Sequence, residues 1–225
     1  AKLIYSSTNK VYGGMENVEV VEKKDEYQYK LYKNGISEDQ PLDFHSPYGC
    51  SKGCGDQYVR DYARIYGLNT VVFRQSCIYG PRQFGVEDQG WVAWFVIAIL
   101  TGKKITIYGD GKQVRDVLYI EDLMDAYQSA FKRMNEVKGQ VFNIGGGPQN
   151  TISVWYQFKP ILEKLFGNII DTESGKWRPG DQKIFVSNIS KAQRLLGWSP
   201  KYSPEKGITQ LYKWVEQNID LFNKA

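Results

Sequence analysis

The sequence predicts an α/β protein: the later part of a doubly wound parallel sheet, joined to a smaller α/β unit. Three observations carry this. Apolar runs of strand length alternate with stretches of helical length, the first 75 or so residues follow a β-α-β rhythm, and the pattern changes after Gly147 to mostly helical segments.

The elements follow in order. "KLIYSS" is a β-rich run, and residues 47–66 have helical spacing with Tyr58, Tyr62 and Ile65 on one face. "NTVVFRQS" is a buried-strand candidate that completes the β-α-β step. A loop, "YGPRQFG", leads to an apolar helix over residues 91–100, a hairpin-like "ITIYGDGKQVRDVLYI", a helix from Glu121 and the strand "QVFNIGGG". Such alternation favours parallel strands. Beyond Gly147 come a helix over "TISVWYQFKPILEKLF", a short strand "KIFVS", and helices near residues 190–196 and 204–222. Residues 14–44 are polar, charged and weakly periodic, so they are expected to be a partly disordered surface insertion outside the core. There is no internal repeat.

Composition narrows the function classes. A chain of 225 residues with 42% hydrophobic content can bury a substantial core. No apolar run approaches the roughly 20 residues of a membrane span, and "AKLIYSSTNK" lacks the order of a signal peptide, so no membrane partner is expected. The net charge of +4 suits a small anionic ligand and is too scattered for nucleic acid. Cys50 and Cys54 stand one helical turn apart, but with Cys77 and the lone His45 they do not complete a tetrahedral metal set. Reduced thiols and a cytoplasmic location are the expectation.

Tyr-x-x-x-Lys occurs four times, so the spacing alone decides nothing. Tyr108/Lys112 spans an Asp-Gly turn, Tyr202/Lys206 straddles a Ser-Pro helix entry, and Tyr29/Lys33 lies in the polar insertion. Only Tyr48/Lys52 opens a long helix between two strands, where i,i+4 spacing brings phenol and ammonium together.

The ordered set "IYSSTNKVYG", "SPYGCSK", "FRQSCIYGPRQ", "YGDGKQVRDVLYIEDL", "FNIGGG" and "RPGDQKIFVSNISKAQRLLGWSP" resembles the nucleotide-sugar epimerase/dehydratase branch of the extended short-chain dehydrogenases, over nearly the whole chain. Within it, "PLDFHSPYGCSKGCGDQYVRDYARIYGLNTVVFR" with "YGPRQFGVEDQGWVAWF" is most similar to the CDP-tyvelose (CDP-paratose) 2-epimerases.

The resemblance implies NAD as cofactor, a nucleotide diphosphate sugar (a CDP-hexose) as substrate, a homo-oligomer, and a Rossmann-like sheet. Residues 1–80 and 118–147 would form the second part of the NAD-binding unit, and 81–117 with 148–225 the nucleotide-sugar unit. Tyr48 would be the acid/base, because a free phenol is a poor base at neutral pH and a neighbouring cation favours the phenolate. Lys52 would supply that charge and hold the nicotinamide ribose, and Thr8 would hydrogen-bond the reacting oxygen. The loop around Tyr79 and Pro81 would complete the cofactor side. Arg115 and Arg178 would clamp the diphosphate, as a planar guanidinium suits, and Asp181 would accept from a ribose hydroxyl.

Three departures from the branch pattern sharpen this. Dehydratases place an acidic pair after the threonine, because eliminating water requires a second acid/base; here Asn9 and Lys10 stand there, which favours epimerisation. Cys77 stands where many relatives carry asparagine. No segment fits the G-x-x-G-x-x-G turn that receives the cofactor pyrophosphate, so the chain is expected to be the C-terminal two thirds of such an enzyme, lacking roughly 100 to 120 residues. As it stands it is expected neither to retain NAD nor to epimerise, and to expose an unpaired sheet edge and apolar surface. A UDP-sugar 4-epimerase, another extended short-chain dehydrogenase, or a non-catalytic sugar-nucleotide binding module remain open alternatives.

Overall fold

The computed structural model describes residues 1–178 and 180–223. Strand β1 (Lys2–Thr8) runs into a short 3-10 turn over Asn9–Tyr12, then β2 (Val20–Glu22) and β3 (Tyr27–Tyr29) form a small antiparallel ribbon. Helix α1 (Ser46–Tyr66) follows, then β4 (Asn69–Gln75), β5 (Ile78–Tyr79), α2 (Trp91–Thr101), β6 (Ile105–Tyr108), β7 (Val114–Asp116) and β8 (Leu118–Tyr119). The chain continues through α3 (Ile120–Lys132), α4 (Met134–Val137), β9 (Val141–Ile144) and β10 (Thr151–Ser153). Last come α5 (Phe158–Phe166), β11 (Thr172–Gly175), β12 (Ile184–Phe185), α6 (Ser190–Leu196) and α7 (Pro204–Gln217).

The main sheet is parallel, in the order β1-β4-β9. Thr8 stands opposite Gln75, and Gln75 opposite Ile144, so the three strands end on one line. That line is the carboxyl edge, where open α/β sheets collect their ligands. β1 has no partner on its outer side among the described residues. One apolar cluster, containing Val71, Phe73, Leu123 and Phe142, seats α3 and α6 on the sheet; a second, built on α2, α5 and α7 with Ile105 and Tyr119, forms the other unit. Among the described residues no helix is long and apolar enough to cross a membrane, and no group of three metal-ligating side chains occurs.

Three expectations are corrected. The "hairpin" of β6 and β7 does not exist: β6 pairs with β11, and β7 lies between β10 and β12. Gly109 and Gly111, both at positive φ, lie in the connection, whose flanking strands find their partners elsewhere in the chain. The start of "TISVWYQFKPILEKLF" is strand β10, because its residues complete β7. Residues 14–44 are structured and supply core: Met15, Val18, Tyr27 and Ile36 are buried, and Asn143 Nδ2 donates to the Ile36 carbonyl at 2.8 Å. Their charged residues alternate around a few apolar anchors, which weak periodicity conceals. The shared face of Tyr58, Tyr62 and Ile65 on α1, which the sequence expects, is exposed, and the face against the sheet is Gly49, Gly53 and Asp56. Small residues there bring the helix close to β1.

Candidate active site

Thr8 is the last residue of β1 and caps the turn that follows: its Oγ1 accepts from the Lys10 amide and lies 3.3 Å from Asn9 Oδ1. Tyr48 sits in the first turn of α1 behind Pro47, and its ring is 53% exposed. Ser46, just before, holds a positive φ of 65°, a strained conformation for a residue with a side chain. One turn on, Lys52 Nζ donates to the Ser6 carbonyl at 3.0 Å and lies 5.5 Å from the Tyr5 ring centre. The ammonium is thereby tied to the strand that carries Thr8.

A buried charged network fixes these elements to one another. Asp56, on α1, accepts from Arg74 Nε at 2.8 Å and Nη2 at 3.0 Å, and from Ser7 Oγ at 3.0 Å. Arg74 Nη1 donates to Tyr12 Oη at 3.2 Å, which donates to Asn143 Oδ1 at 2.7 Å. Helix α1 and strands β1, β4 and β9 are tied by side chains that exclude water.

A cavity of about 320 Å³ opens at the sheet edge, with Thr8, Asn9, Tyr48, Gln75, Cys77 and Gln83 on its wall. A second, of about 380 Å³, adjoins it; Asn9, Cys77 and Trp91 border both. The second is lined by Lys10, Tyr108, Gln113, Arg115, Arg178 and Asp181. Arg115 is 8% exposed; its Nη2 donates to Asp181 Oδ1 at 3.0 Å and to the Gln182 carbonyl at 2.7 Å. Arg178 lies 3.8 Å over the Tyr108 ring, pairs with Asp88 at 3.0 Å and donates to the Glu87 carbonyl. A larger cavity, about 490 Å³, lies between Tyr27, Tyr29 and Ile184 and touches none of the predicted site residues.

Burial, reinforced by Arg115 and partly offset by Asp181, lowers the Lys10 ammonium below the ordinary lysine range. Burial pushes the Cys77 thiol up, and Cys77 also holds a positive φ of 35° at the junction of the two cavities. Burial raises the Asp116 carboxyl to about 6, against donors from Ser76 and Gly147 that favour its anion.

The predicted residues thus fall into two adjoining groups. Thr8 and Tyr48 share the first wall, with Lys52 one turn behind it, and Arg115, Arg178 and Asp181 share the second. Tyr79 and Pro81 line neither cavity. Tyr79 is 2% exposed and packs against Tyr119, because β5 turns Ile78 toward the site and Tyr79 toward the core.

The family model for the "NAD dependent epimerase/dehydratase family" matches residues 1–145. The chain belongs to this epimerase/dehydratase family. A CDP-paratose 2-epimerase of Salmonella typhi is 47% identical over 218 residues, covering 95% of this chain and 64% of that protein. A UDP-glucuronate 4-epimerase of Thermodesulfobacterium geofontis is 32% identical, covering 98% and 61%. Among solved structures, a Thermotoga maritima UDP-glucose 4-epimerase with UDP-glucose superposes with a TM-score of 0.80 at 30% identity, covering 97% of this chain and 65% of that one. A Bacillus cereus UDP-glucuronic acid 4-epimerase in complex with UDP-glucuronic acid and NAD gives 0.79 at 31% identity, covering 96% and 62%. The chain spans less than two thirds of the length of each of these relatives.

The family cofactor can be tested against the first wall. Gln83 Oε1 is buried there without a hydrogen-bond partner among the described residues, beside Thr8 and Tyr48. An orphaned acceptor suits a primary carboxamide, and the nicotinamide ring carries one, so the wall fits that end of NAD. Gln113 was also missed by sequence reasoning: its Nε2 donates to the Tyr108 carbonyl at 2.7 Å, leaving a buried, unpartnered Oε1 on the second wall. It lies inside the quoted "KQVRD" motif, two residues before Arg115, which was the available signal.

Proposed function

We propose that this chain carries the acid/base centre and the nucleotide-sugar cavity of an NAD-dependent epimerase that inverts one carbon of a CDP-hexose, of the CDP-paratose/CDP-tyvelose 2-epimerase type. The observation that carries it is the adjacency of the two cavities: a phenol and a threonine hydroxyl on one wall, and a pair of arginines on the next. Identity of 47% to a CDP-paratose 2-epimerase supports the choice of base and sugar. In this reading residues 1–80 and 118–147 form the cofactor unit and 81–117 with 148–225 the nucleotide-sugar unit; the two apolar clusters follow this division in the main, with Ile189, Ala192, Leu196 and Trp198 packing on the cofactor-side sheet and Tyr79 and Tyr119 on the other cluster.

Bound NAD supplies the hydride acceptor. The remaining work belongs to the chain. Tyr48 takes the proton of the sugar hydroxyl and returns it, Thr8 hydrogen-bonds that oxygen, and Lys52 holds positive charge at the end of β1 and the cofactor ribose. Arg115 and Arg178 hold the diphosphate so that the hexose reaches the Thr8 wall, and Asp181 meets a ribose hydroxyl. Gln83 orients the nicotinamide carboxamide. Asn9 and Lys10 offer no carboxyl for water elimination, in keeping with inversion at a single carbon. The protein is proposed to be cytoplasmic and to self-associate through the exposed Tyr58, Tyr62 and Ile65 face of α1.

The test is activity of the complete gene product with NAD on CDP-paratose and, separately, on UDP-glucose. Conversion of CDP-paratose with Tyr48→Phe reduced at least about 10²-fold is expected, the usual worth of a positioned base. Preference for UDP-glucose would assign a 4-epimerase instead, a 4-keto-6-deoxy product by mass spectrometry would assign a dehydratase, and near-normal turnover of Tyr48→Phe would remove the acid/base role.

A further inference from the structure

The Lys10 backbone belongs to the turn after β1, its carbonyl accepting from the Gly13 amide at 3.2 Å, but the side chain has no such part. Among the described residues its ammonium makes no ion pair and no hydrogen bond, yet the side chain is half-buried on the wall of the 380 Å³ cavity. Its charged neighbours there are Arg115 and Asp181, and that carboxylate is already bonded to Arg115 at 3.0 Å. Beside Lys10, two cations face one carboxylate; elsewhere on the wall Arg178 is paired with Asp88, and Glu87 also lines the cavity, so the uncompensated positive charge is local to Lys10. Holding a lysine there costs desolvation and repulsion, which an anion entering the cavity returns.

Order along the cavity tells which anion. Lys10 follows Thr8 by two residues, through Asn9, which borders both cavities. Arg115 comes from β7, and Arg178 is stacked over Tyr108. Of the three cations on this wall, Lys10 is the one joined directly to the Thr8 wall. A nucleoside diphosphate sugar with its hexose at Thr8 and its base beyond Arg115 brings the sugar-side phosphate past Lys10 first. The backbone amide of Lys10 donates to Thr8 Oγ1 at 3.3 Å, so the residue that would meet this phosphate is also tied to the residue that would meet the reacting oxygen.

We propose that Lys10 binds the sugar-side phosphate of the substrate and makes this cavity select nucleoside diphosphates over monophosphates. This rests on the reading of the cavity given above. It assigns a binding role to the position that, in a dehydratase, carries an acid. A lone ammonium suits this duty, as a compact point charge that follows a phosphate without demanding planar, two-pronged geometry.

The test is calorimetric titration of the chain as it stands with CDP and with CMP, neither of which needs a catalytic step. The unchanged chain is expected to bind CDP more tightly than CMP. Lys10→Met is expected to weaken CDP about tenfold and CMP less than about twofold, as loss of one charge-assisted contact to the second phosphate requires. Lys10→Arg should restore most of the CDP preference, and all three proteins should share one urea midpoint, which separates binding from folding. A Lys10→Met protein that keeps the original CDP-to-CMP ratio overturns the inference and leaves the cavity assignment standing. An unchanged chain that binds neither nucleotide overturns the cavity assignment, and the role of Lys10 falls with it.

Discussion

The two walls of the candidate site are built in different ways. The Thr8–Tyr48 wall stands on a parallel strand end and the first turn of a long helix, clamped from behind by Asp56 and Arg74, which are 0% and 2% exposed. The Arg115–Arg178 wall takes Arg115 from the short central strand of a three-stranded sheet and its other residues from loops and turns, and its ion pairs reach solvent: the Asp181 side chain is 28% exposed and that of Asp88 87%. The difference teaches a division of labour. Under the proposed function, proton transfer needs atoms held to a few tenths of an ångström, whereas recognition of a flexible diphosphate tolerates, and gains from, side chains that can close around it.

This contrast is breakable by mutation. The largest effect is expected behind the rigid wall: Asp56→Ala leaves the Arg74 guanidinium buried without its carboxylate and should cost about 3–5 kcal/mol in urea unfolding. Asp181→Ala, which opens the looser pair with Arg115, should cost about 1 kcal/mol or less. Equal costs would erase the distinction between the two walls.

Next in size is a pH effect at the boundary of the two units. Asp116 is fully buried on β7 with its folded pKa raised to about 6, above the ordinary 3.8. The folded state therefore holds this proton after the unfolded chain has released it. The contribution to stability is complete below about pH 4 and is lost as the pH rises to about 6, by up to about 3 kcal/mol. Relative to Asp116→Asn, the unchanged protein should lose stability across that window, read from urea midpoints at pH 4, 5 and 6. A constant difference between the two proteins would mean that Asp116 is not held in its acid form.

The smallest effect concerns thiols. Cys50 and Cys54 are exposed on α1, whereas Cys77 is partly buried between the walls with its thiol pKa pushed up by that burial. A disulfide reagent at pH 8 should modify two thiols quickly and the third slowly. Saturating CDP should slow the third further, because Cys77 borders the cavity proposed for the nucleotide. Three equally fast thiols would show that the junction between the walls is open.

The same contrast governs what the sequence discloses. β1, α1, β4, α2 and β9 are legible because each is a continuous apolar or helical run whose partners follow in order along the chain. The pairing of β6 with β11 and of β7 with β10 and β12 is not, since it joins residues such as Arg115 and Phe185 that are far apart in sequence and carry no local sign of each other. The core provided by residues 14–44 is hidden for a related reason: Met15, Val18, Tyr27 and Ile36 are isolated anchors among charges. At the candidate site, motifs that match a family pattern single out Thr8, Tyr48, Arg115, Arg178 and Asp181, which line the two adjoining cavities, and Lys52 one turn behind Tyr48. Gln83 and Gln113 are not, because an unpartnered carboxamide oxygen is a property of the packed structure alone. Tyr79 is named by the same motif, but the pleat turns its ring into the core, which the motif does not disclose.

The central claim is that one nucleotide sugar spans both walls, and a crystal structure of this chain with a CDP-hexose measures that directly. The diphosphate is expected within hydrogen-bond distance of Arg115 and Lys10, with a hexose hydroxyl reaching both Thr8 Oγ1 and the Tyr48 hydroxyl. Density for the nucleotide in the 490 Å³ cavity beside Tyr27 and Tyr29, or a hexose pointing away from Thr8, would contradict it.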